Sequence, residues 1–397
     1  MQSDFRHTPA RPARAFGLDT LRALAILLVF AYHYEVFVSH APTFGWFGEI
    51  GWVGVDLFFV LSGYLIANQI FGGIAQSSAL SLKAFYARRL LRTLPTFYVV
   101  LALYFLFPAV MGGKTPPPLW TFLSFTQNLP QPGTAFSHAW SLCIEEQFYL
   151  VLPAAALIAA RFGRSVRLGW WLLGGLMLAA IVLRIVLWLR YGRVADGATD
   201  GYYPYIYYTT WCRFDELLPG VALAMLKNFH PQAWRRVLAH GRTTLVAEVA
   251  ATALVFALMQ QSYQVDGYGY GYVATAFGYT LLACAFALLT LAALSPVSTL
   301  YRARVPGAAQ LAAWSYAIYL THKPLAGIVQ RGLGTHGVSA ESAGGVSLIA
   351  LACLLGGWLL YQFVETPFMT LRDRIVPTPF PTLPVRTIGH PLPRSST

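Results

Sequence analysis

Arg22 and His33 stand eleven positions apart inside one long apolar run near the start of the chain. On an α-helix that spacing returns to nearly the same face, roughly 16 Å further along the axis. One face thus carries a guanidinium at one end and an imidazole at the other. A neutral imidazole can accept a proton near pH 7, as a general base must, which makes His33 a catalytic candidate. The plainer reading of His33 is a buried polar group, and of Arg22 an anchor at the inner lipid interface.

Further clusters follow along the chain. The stretch from Gly51 to Tyr64 holds Gly54, Asp56, Ser62 and Gly63. Its glycines permit close helix contact, and Asp56 can orient a base or serve a structural hydrogen bond. Arg88, Arg89 and Arg92 precede Pro95. Guanidinium groups match phosphate oxygens well, though basic residues at a cytoplasmic membrane face are also ordinary. Trp140, Ser141, Glu145, Glu146 and Tyr149 begin another apolar segment, with Ser141, Glu145 and Tyr149 on one helical face. Arg213 and Asp215 sit at a further segment end. Ser315, Tyr319 and His322 fall on related turns of one face, just before Lys323 and Pro324, and Glu365 and Pro367 close the last apolar segment.

The elements that must position these groups are set by composition. Of 397 residues, 56 % are hydrophobic and only 11 % charged, with a mean hydropathy of +0.53. A soluble domain carries roughly 25 % charged residues, so the chain reads as an all-α, polytopic transmembrane helical bundle. About ten segments are long and apolar enough to span: 18–37, 50–71, 93–111, 139–160, 168–189, 210–226, 243–260, 269–291, 308–328 and 345–366. Segment 210–226 is the weakest, being short and opening on Arg213, Asp215 and Glu216. With the N-terminus inside, 21 of the 28 basic residues fall on the cytoplasmic side. That bias places both termini in the cytoplasm.

The same clustering explains the net charge of +12 without nucleic acid, since the basic residues form no single patch. The four cysteines are too far apart for metal-ligand spacing, and no metal is expected. The first apolar block lacks a cleavage signature and reads as a retained helix. Outer segments 112–138, 191–209 and 261–271 are rich in aromatic residues, including five tyrosines within Gly201–Tyr208. They read as an interfacial belt or as a platform for sugar rings. The expected division is a cytoplasmic segment 1–17, a membrane domain 18–372 and a Pro-rich tail 373–397. Ionisable groups inside spanning helices mark functional sites, and a transporter and a membrane enzyme both fit this pattern.

The ordered set of motifs resembles the acyltransferase-3 family of integral membrane O-acyltransferases, over about residues 14–372. Arg22 with His33 looks like the first-helix signature. Gly54-Val-Asp56 with Ser62, Gly63 and Tyr64 is similar to the second-helix motif. Arg88, Arg89 and Arg92 match the basic stretch associated with acyl donors. Trp140, Ser141, Glu145 and Tyr149, then Arg213 and Asp215, then Ser315 through His322, then Glu365 and Pro367 follow in the family's order.

The resemblance implies transfer of an acetyl or other short acyl group from cytosolic acyl-CoA, in the first place acetyl-CoA, to a sugar hydroxyl of a polysaccharide or glycoside. No cofactor is bound in that scheme. Acyl-CoA is a co-substrate, and the partners are membrane lipid, the sugar acceptor and polysaccharide-assembly proteins. The location implied is the cell membrane, in a bacterium the inner one. His33 would act as base or as covalent acyl carrier, with Glu145 or Asp56 orienting it. Arg213, Asp215, Tyr319 and His322 would support the transition state or acceptor, and Arg22, Arg88, Arg89 and Arg92 would hold the donor. Some members carry an additional C-terminal esterase-like domain, for which the tail here leaves no room. A glycan or lipid exporter without chemistry is the competing expectation. The enzyme reading expects one cavity joining Arg88 to His33, and separate sealed pockets would count against cytosolic acyl-CoA as the direct donor.

Overall fold

Among the described residues there are eleven α-helices of ten residues or more and no strand. The computed structural model describes residues 16–75, 80–130, 133–163, 165–192, 198–260 and 271–379. The segment 1–15, the Tyr/Gly-rich residues 261–270 and the tail from 380 onward lie outside that set. The helices are α1 Phe16–Tyr34, α2 Val53–Ala75, α3 Leu82–Leu106, α4 Trp140–Arg161, α5 Val166–Tyr191, α6 Leu218–Phe229, α7 Gly241–Gln260, α8 Tyr279–Leu294, α9 Ala308–Thr335, α10 Ala343–Leu360 and α11 Thr366–Ile375.

Seven helical stretches among the described residues are long and apolar enough to cross a bilayer: Phe16–Ser39, Val53–Ala75, Leu82–Leu106, Ser137–Arg161, Val166–Tyr191, Ala274–Leu294 and Ala343–Ile375. They establish an all-α polytopic membrane bundle. The other expected spans, α6, α7 and α9, are outside that set. The twelve residues of α6 reach only about 18 Å, and α9 carries Ser315, Tyr316, Tyr319, His322 and Lys323.

Two helices differ from the sequence expectation. The third begins at Leu82 rather than residue 93, because Ser81 caps it by accepting from the Ala84 amide at 3.2 Å. Arg88, Arg89 and Arg92 therefore stand on its first turns, with Pro95 well inside the helix. Segment 210–226 is broken. A short turn Thr210–Arg213 and a 3₁₀ turn Phe214–Leu217 precede α6. The break turns Arg213, Asp215 and Glu216 inward, and all three are buried.

Helix α2 is the centre, packed against α1, α4, α6 and α8. Its two faces approach neighbours at backbone distance. A Cβ on Gly54 would run into the Ala25 carbonyl of α1, and one on Gly63 into the Leu217 carbonyl ahead of α6. Helix α9 packs between α1 and α10. In contrast, α5 turns Trp171, Leu172, Leu178 and Val182 outward, as a lipid-facing helix does. Three of the four cysteines are buried; Cys284 is exposed on α8.

Candidate active site

Helices α1, α2, α3, α4 and α9 enclose a cavity of about 510 Å³. Its basic end is walled by Arg88, Arg89 and Arg92 of α3, Arg22 of α1 and Arg372 of α11. Phe58, Phe59, Leu65 and Phe85 line its apolar wall, and Ser62, Glu145, Ser141 and Tyr319 line it as well. Arg22 donates to Ser315 Oγ at 3.2 Å. The Arg89 guanidinium lies 3.7 Å from the Tyr149 ring centre, and its Nε is buried without a hydrogen-bond partner. An unsatisfied cationic donor inside an arginine-walled cavity is the chemistry of an anion site. Glu145 accepts from Ser62 Oγ at 2.6 Å. Glu365, buried where α10 passes toward α11, lies within electrostatic reach of Arg92 and Arg22, and Pro367 opens α11.

The cavity mouth is bordered by the C-terminal segment. Arg88 donates to Asp373 Oδ1 at 2.6 Å and to the Val376 carbonyl at 2.9 Å, and Pro379 lines the cavity. Asp373 also pairs with Arg372. Neither Asp373 nor Arg372 was singled out in the sequence, because nothing local relates α11 to α3.

His33 lies elsewhere. Its Nδ1 is 2.7 Å from Nε2 of His322, with ring planes 6° apart. His138 stands edge-on to both rings, at 6.2 Å from His33 and 5.4 Å from His322 between centres. Lys323 donates to Ser137 Oγ at 2.7 Å and rests 3.6 Å above the Phe37 ring. His33, His322, Lys323, Phe37 and Tyr34 share a separate small pocket. His138 and Lys323 were visible in the sequence only as neighbours of Trp140 and His322. A histidine three residues before a Ser-x-x-x-Glu face was the available signal.

The expected single cavity from Arg88 to His33 is not what the structure forms. The large cavity ends at Ser141 and Tyr319, whose hydroxyls are 2.6 Å apart. Tyr319 also donates to the His138 carbonyl at 2.8 Å. Its ring lies 5.7 Å from that of His138 and 5.9 Å from that of His322. One layer of side chains thus separates the arginine cavity from the histidines.

The remaining expected site residues form a different group. Asp56 pairs with Arg213 at 3.3 Å rather than with His33. Arg213 also binds Glu216 and the Tyr207 carbonyl, and its guanidinium is 4.0 Å from the Tyr279 ring centre and 5.0 Å from that of Trp140. Asp215 takes both terminal nitrogens of Arg184, at 2.7 and 3.1 Å. Asp56, Arg184, Arg213, Asp215 and Glu216 are all buried. Asp56 pairs with Arg213 and Glu145 with Ser62, while His33 contacts His322. Tyr202 and Tyr207 are also internal, so the tyrosine run is only partly available as an outward platform.

A helical bundle with seven apolar spans and an internal arginine-walled cavity defines an integral membrane protein with a basic internal cavity. The chain belongs to the acyltransferase-3 family, whose model, described as an acyltransferase domain, matches residues 16–362. It is 29 % identical over 381 residues to the peptidoglycan O-acetyltransferase OatA of Listeria monocytogenes, covering 88 % of this chain and 55 % of that protein. It is 32 % identical over 227 residues to YrhL of Bacillus subtilis, named as a candidate peptidoglycan O-acetyltransferase, covering 53 % of this chain and 33 % of the relative. An O-acetyltransferase candidate of Staphylococcus aureus strain COL is 27 % identical over 246 residues, covering 56 % of this chain and 37 % of the relative. The chain therefore spans about half the length of the first and about a third of the others. No solved structure matches the chain.

Proposed function

We propose that the protein transfers an acetyl or other short acyl group from cytosolic acyl-CoA to a hydroxyl of a carbohydrate or glycoside acceptor at the outer face of a bacterial inner membrane. The observation that carries this reading is the arginine-walled cavity; its separation from His33 and His322 by the Ser141–Tyr319 contact counts against direct delivery of the donor unless that contact opens. The cavity volume of about 510 Å³ suits a small-molecule ligand. Arg88, Arg89, Arg92 and Arg372 face the donor phosphates. The pantetheine arm runs past Phe58, Phe59 and Leu65. Arg22, Ser62 and Glu145 lie beside the thioester. In this scheme α6, α7 and α9 join the seven apolar spans to give ten crossings, with both termini cytoplasmic.

The chemistry takes place where Tyr319 meets the histidines, after the Ser141–Tyr319 hydroxyl contact has opened. His33 takes the proton of the acceptor hydroxyl, the oxygen attacks the thioester carbonyl, and the C–S bond breaks as the new C–O bond forms. The CoA thiolate leaves and recovers the proton from His33. Alternatively a His33 nitrogen attacks the thioester carbonyl, the C–S bond breaks and the CoA thiolate leaves with the acyl group on His33; the acceptor hydroxyl then attacks that acyl carbon, the N–C bond breaks, and the hydroxyl proton passes to the CoA thiolate. Arg213 is held by Asp56, Glu216 and the Tyr207 carbonyl and His322 Nδ1 by Ile318, so Lys323, which shares the small pocket with His33, is the basic group that would face the reacting oxygen. The relatives named peptidoglycan O-acetyltransferases make peptidoglycan the acceptor class to test first.

The purified chain in lipid nanodiscs, given labelled acetyl-CoA and glycan fragments, tests this. Labelled acceptor should form with the wild type and not with folded His33→Ala. Movement of unmodified acceptor across the bilayer, retained in His33→Ala and with no acyl product, would establish the exporter instead.

A further inference from the structure

The contact between His33 and His322 fixes more than proximity. Nδ1 of His322 lies 3.0 Å from the carbonyl oxygen of Ile318, one turn back on α9. A carbonyl oxygen only accepts, so that nitrogen carries the proton. The opposite arrangement would set two lone pairs against each other. With its proton on Nδ1, a neutral His322 presents a lone pair at Nε2. That atom is 2.7 Å from Nδ1 of His33, which must therefore donate. The ring planes differ by 6° and the centres are 5.0 Å apart. That separation is the nitrogen–nitrogen distance plus one ring radius at each end, so the imidazoles lie edge to edge in nearly one plane. This is the orientation of an in-plane hydrogen bond, not of a face-to-face stack.

We propose that His322 is a positioning residue: it holds the proton of His33 on Nδ1 and leaves Nε2, on the far side of the ring, as the lone pair that does the work. The inference rests on the acyl-transfer reading for its consequence but not for its geometry. The relay runs from His33 through His322 to the Ile318 carbonyl, so the α9 backbone sets which nitrogen of an α1 histidine is basic. It gives His33 an orienting partner that is neutral, unlike a carboxylate, and it is made by residues 289 positions apart. His322 is itself fixed, being almost wholly buried and bonded to its own helix. Its backbone carbonyl also accepts from Cys353 of α10 at 3.3 Å. Both the base lone pair of the direct mechanism and the nucleophile of the covalent one are this same Nε2.

Two variants separate positioning from a merely structural role. In His322→Gln the amide oxygen takes the place of Nε2 and still accepts from His33. In His322→Leu nothing accepts, and His33 is free to carry its proton on Nε2. The full-length protein in nanodiscs is labelled with nitrogen-15 histidine, and the His33 resonances are assigned by their loss in His33→Gln. The wild type and His322→Gln should both show a protonated Nδ1, and His322→Leu should shift the proton toward Nε2.

In acetyl transfer, His322→Leu should lose about 100-fold or more in kcat, as wrong-tautomer variants of a catalytic histidine do. Its KM for acetyl-CoA should be nearly unchanged, since neither histidine lines the donor cavity, and His322→Gln should stay within about tenfold of wild type. A wild-type His33 protonated on Nε2, or a His33 signal unchanged in His322→Leu, would overturn the proposal. So would equal loss of activity in both variants while Nδ1 stays protonated. If the wild type transfers no acyl group, the functional reading fails while the nitrogen-15 signature still decides the role of His322.

Discussion

Asp215→Asn tests whether the deepest charges of the bundle hold it together or act on substrate. In the wild type all five N–H groups of Arg184 are taken. Two go to Asp215 at 2.7 and 3.1 Å, and one each to the Cys212 carbonyl at 2.6 Å, the Ala276 carbonyl at 3.3 Å and the Thr280 hydroxyl at 2.5 Å. Thr280 in turn donates to Asp215 at 2.6 Å, closing the ring. No donor remains for a substrate. The amide of Asn keeps the shape but removes the charge, leaving a buried guanidinium short of a partner. Breaking a buried ion pair from one side costs about 3–5 kcal/mol. Glu216, within electrostatic reach of Arg184, offsets part of the loss, so the lower end, about 3 kcal/mol, is expected. That is roughly a hundredfold change in the folded-to-unfolded ratio.

The double variant Arg184→Met/Asp215→Leu replaces the pair with apolar groups and should recover most of that loss, because desolvation of two charges no longer has to be offset. Stability is read from SDS titration of the detergent-solubilised protein followed by tryptophan fluorescence, and acyl transfer is measured per folded molecule. The expected pattern is a fragile single variant, a recovered double variant, and folded-state activity preserved in both. An Asp215→Asn protein with wild-type resistance to SDS but no acyl transfer would refute the structural assignment and return Asp215 to the reacting groups.

Other perturbations follow from the same geometry. Arg89→Ala removes a donor whose Nε has no internal partner and should raise KM for acetyl-CoA about tenfold or more with a smaller change in kcat, in steady-state kinetics. Asp373→Asn releases Arg88 from a carboxylate that is 55 % exposed, so the change is screened. KM for acetyl-CoA should fall by less than about fivefold, measured against ionic strength. Gly63→Val drives a side chain into the Leu217 carbonyl and should destabilise the α2–α6 contact by about 1–3 kcal/mol, read as loss of folded yield in size-exclusion chromatography.

Much of the bundle was readable because the bilayer imposes a simple rule. Apolar runs of about twenty residues must be helices, and charge within them must turn inward. The segments around α1, α2, α4, α5 and α10 follow directly. The third helix begins earlier than hydropathy indicates because Ser81 supplies a cap that an apolarity rule does not weigh. Segment 210–226 breaks because burying Arg213, Asp215 and Glu216 together requires the chain to bend around them. Arg22, Arg88, Arg89 and Arg92 could be assigned to one site because they share a residue type and a membrane face. The partner of Asp56 could not, since every carboxylate in the bundle had several arginines to choose from. Which one it meets depends on packing across α2 and the broken helix.

The histidine pair shows where such reading stops and why the site has two parts. Helix periodicity places Arg22 and His33 on one face of α1, and this fixes their separation along the membrane. Cavity residues Arg22 and Ser315 meet near one end of α1 and α9, while His33 and His322 meet near the other. The same two helices thus pair twice, once beside the arginines and once at the imidazoles, with Tyr319 between them on α9. A path from the α3 arginines to the imidazoles passes Tyr319 and Ser141. Under the proposed transfer, that hydroxyl contact is the step at which donor access and reaction at His33 would be coupled. Residue types announced both ends of this path, but the barrier between them is the side-chain contact of Ser141 on α4 with Tyr319 on α9.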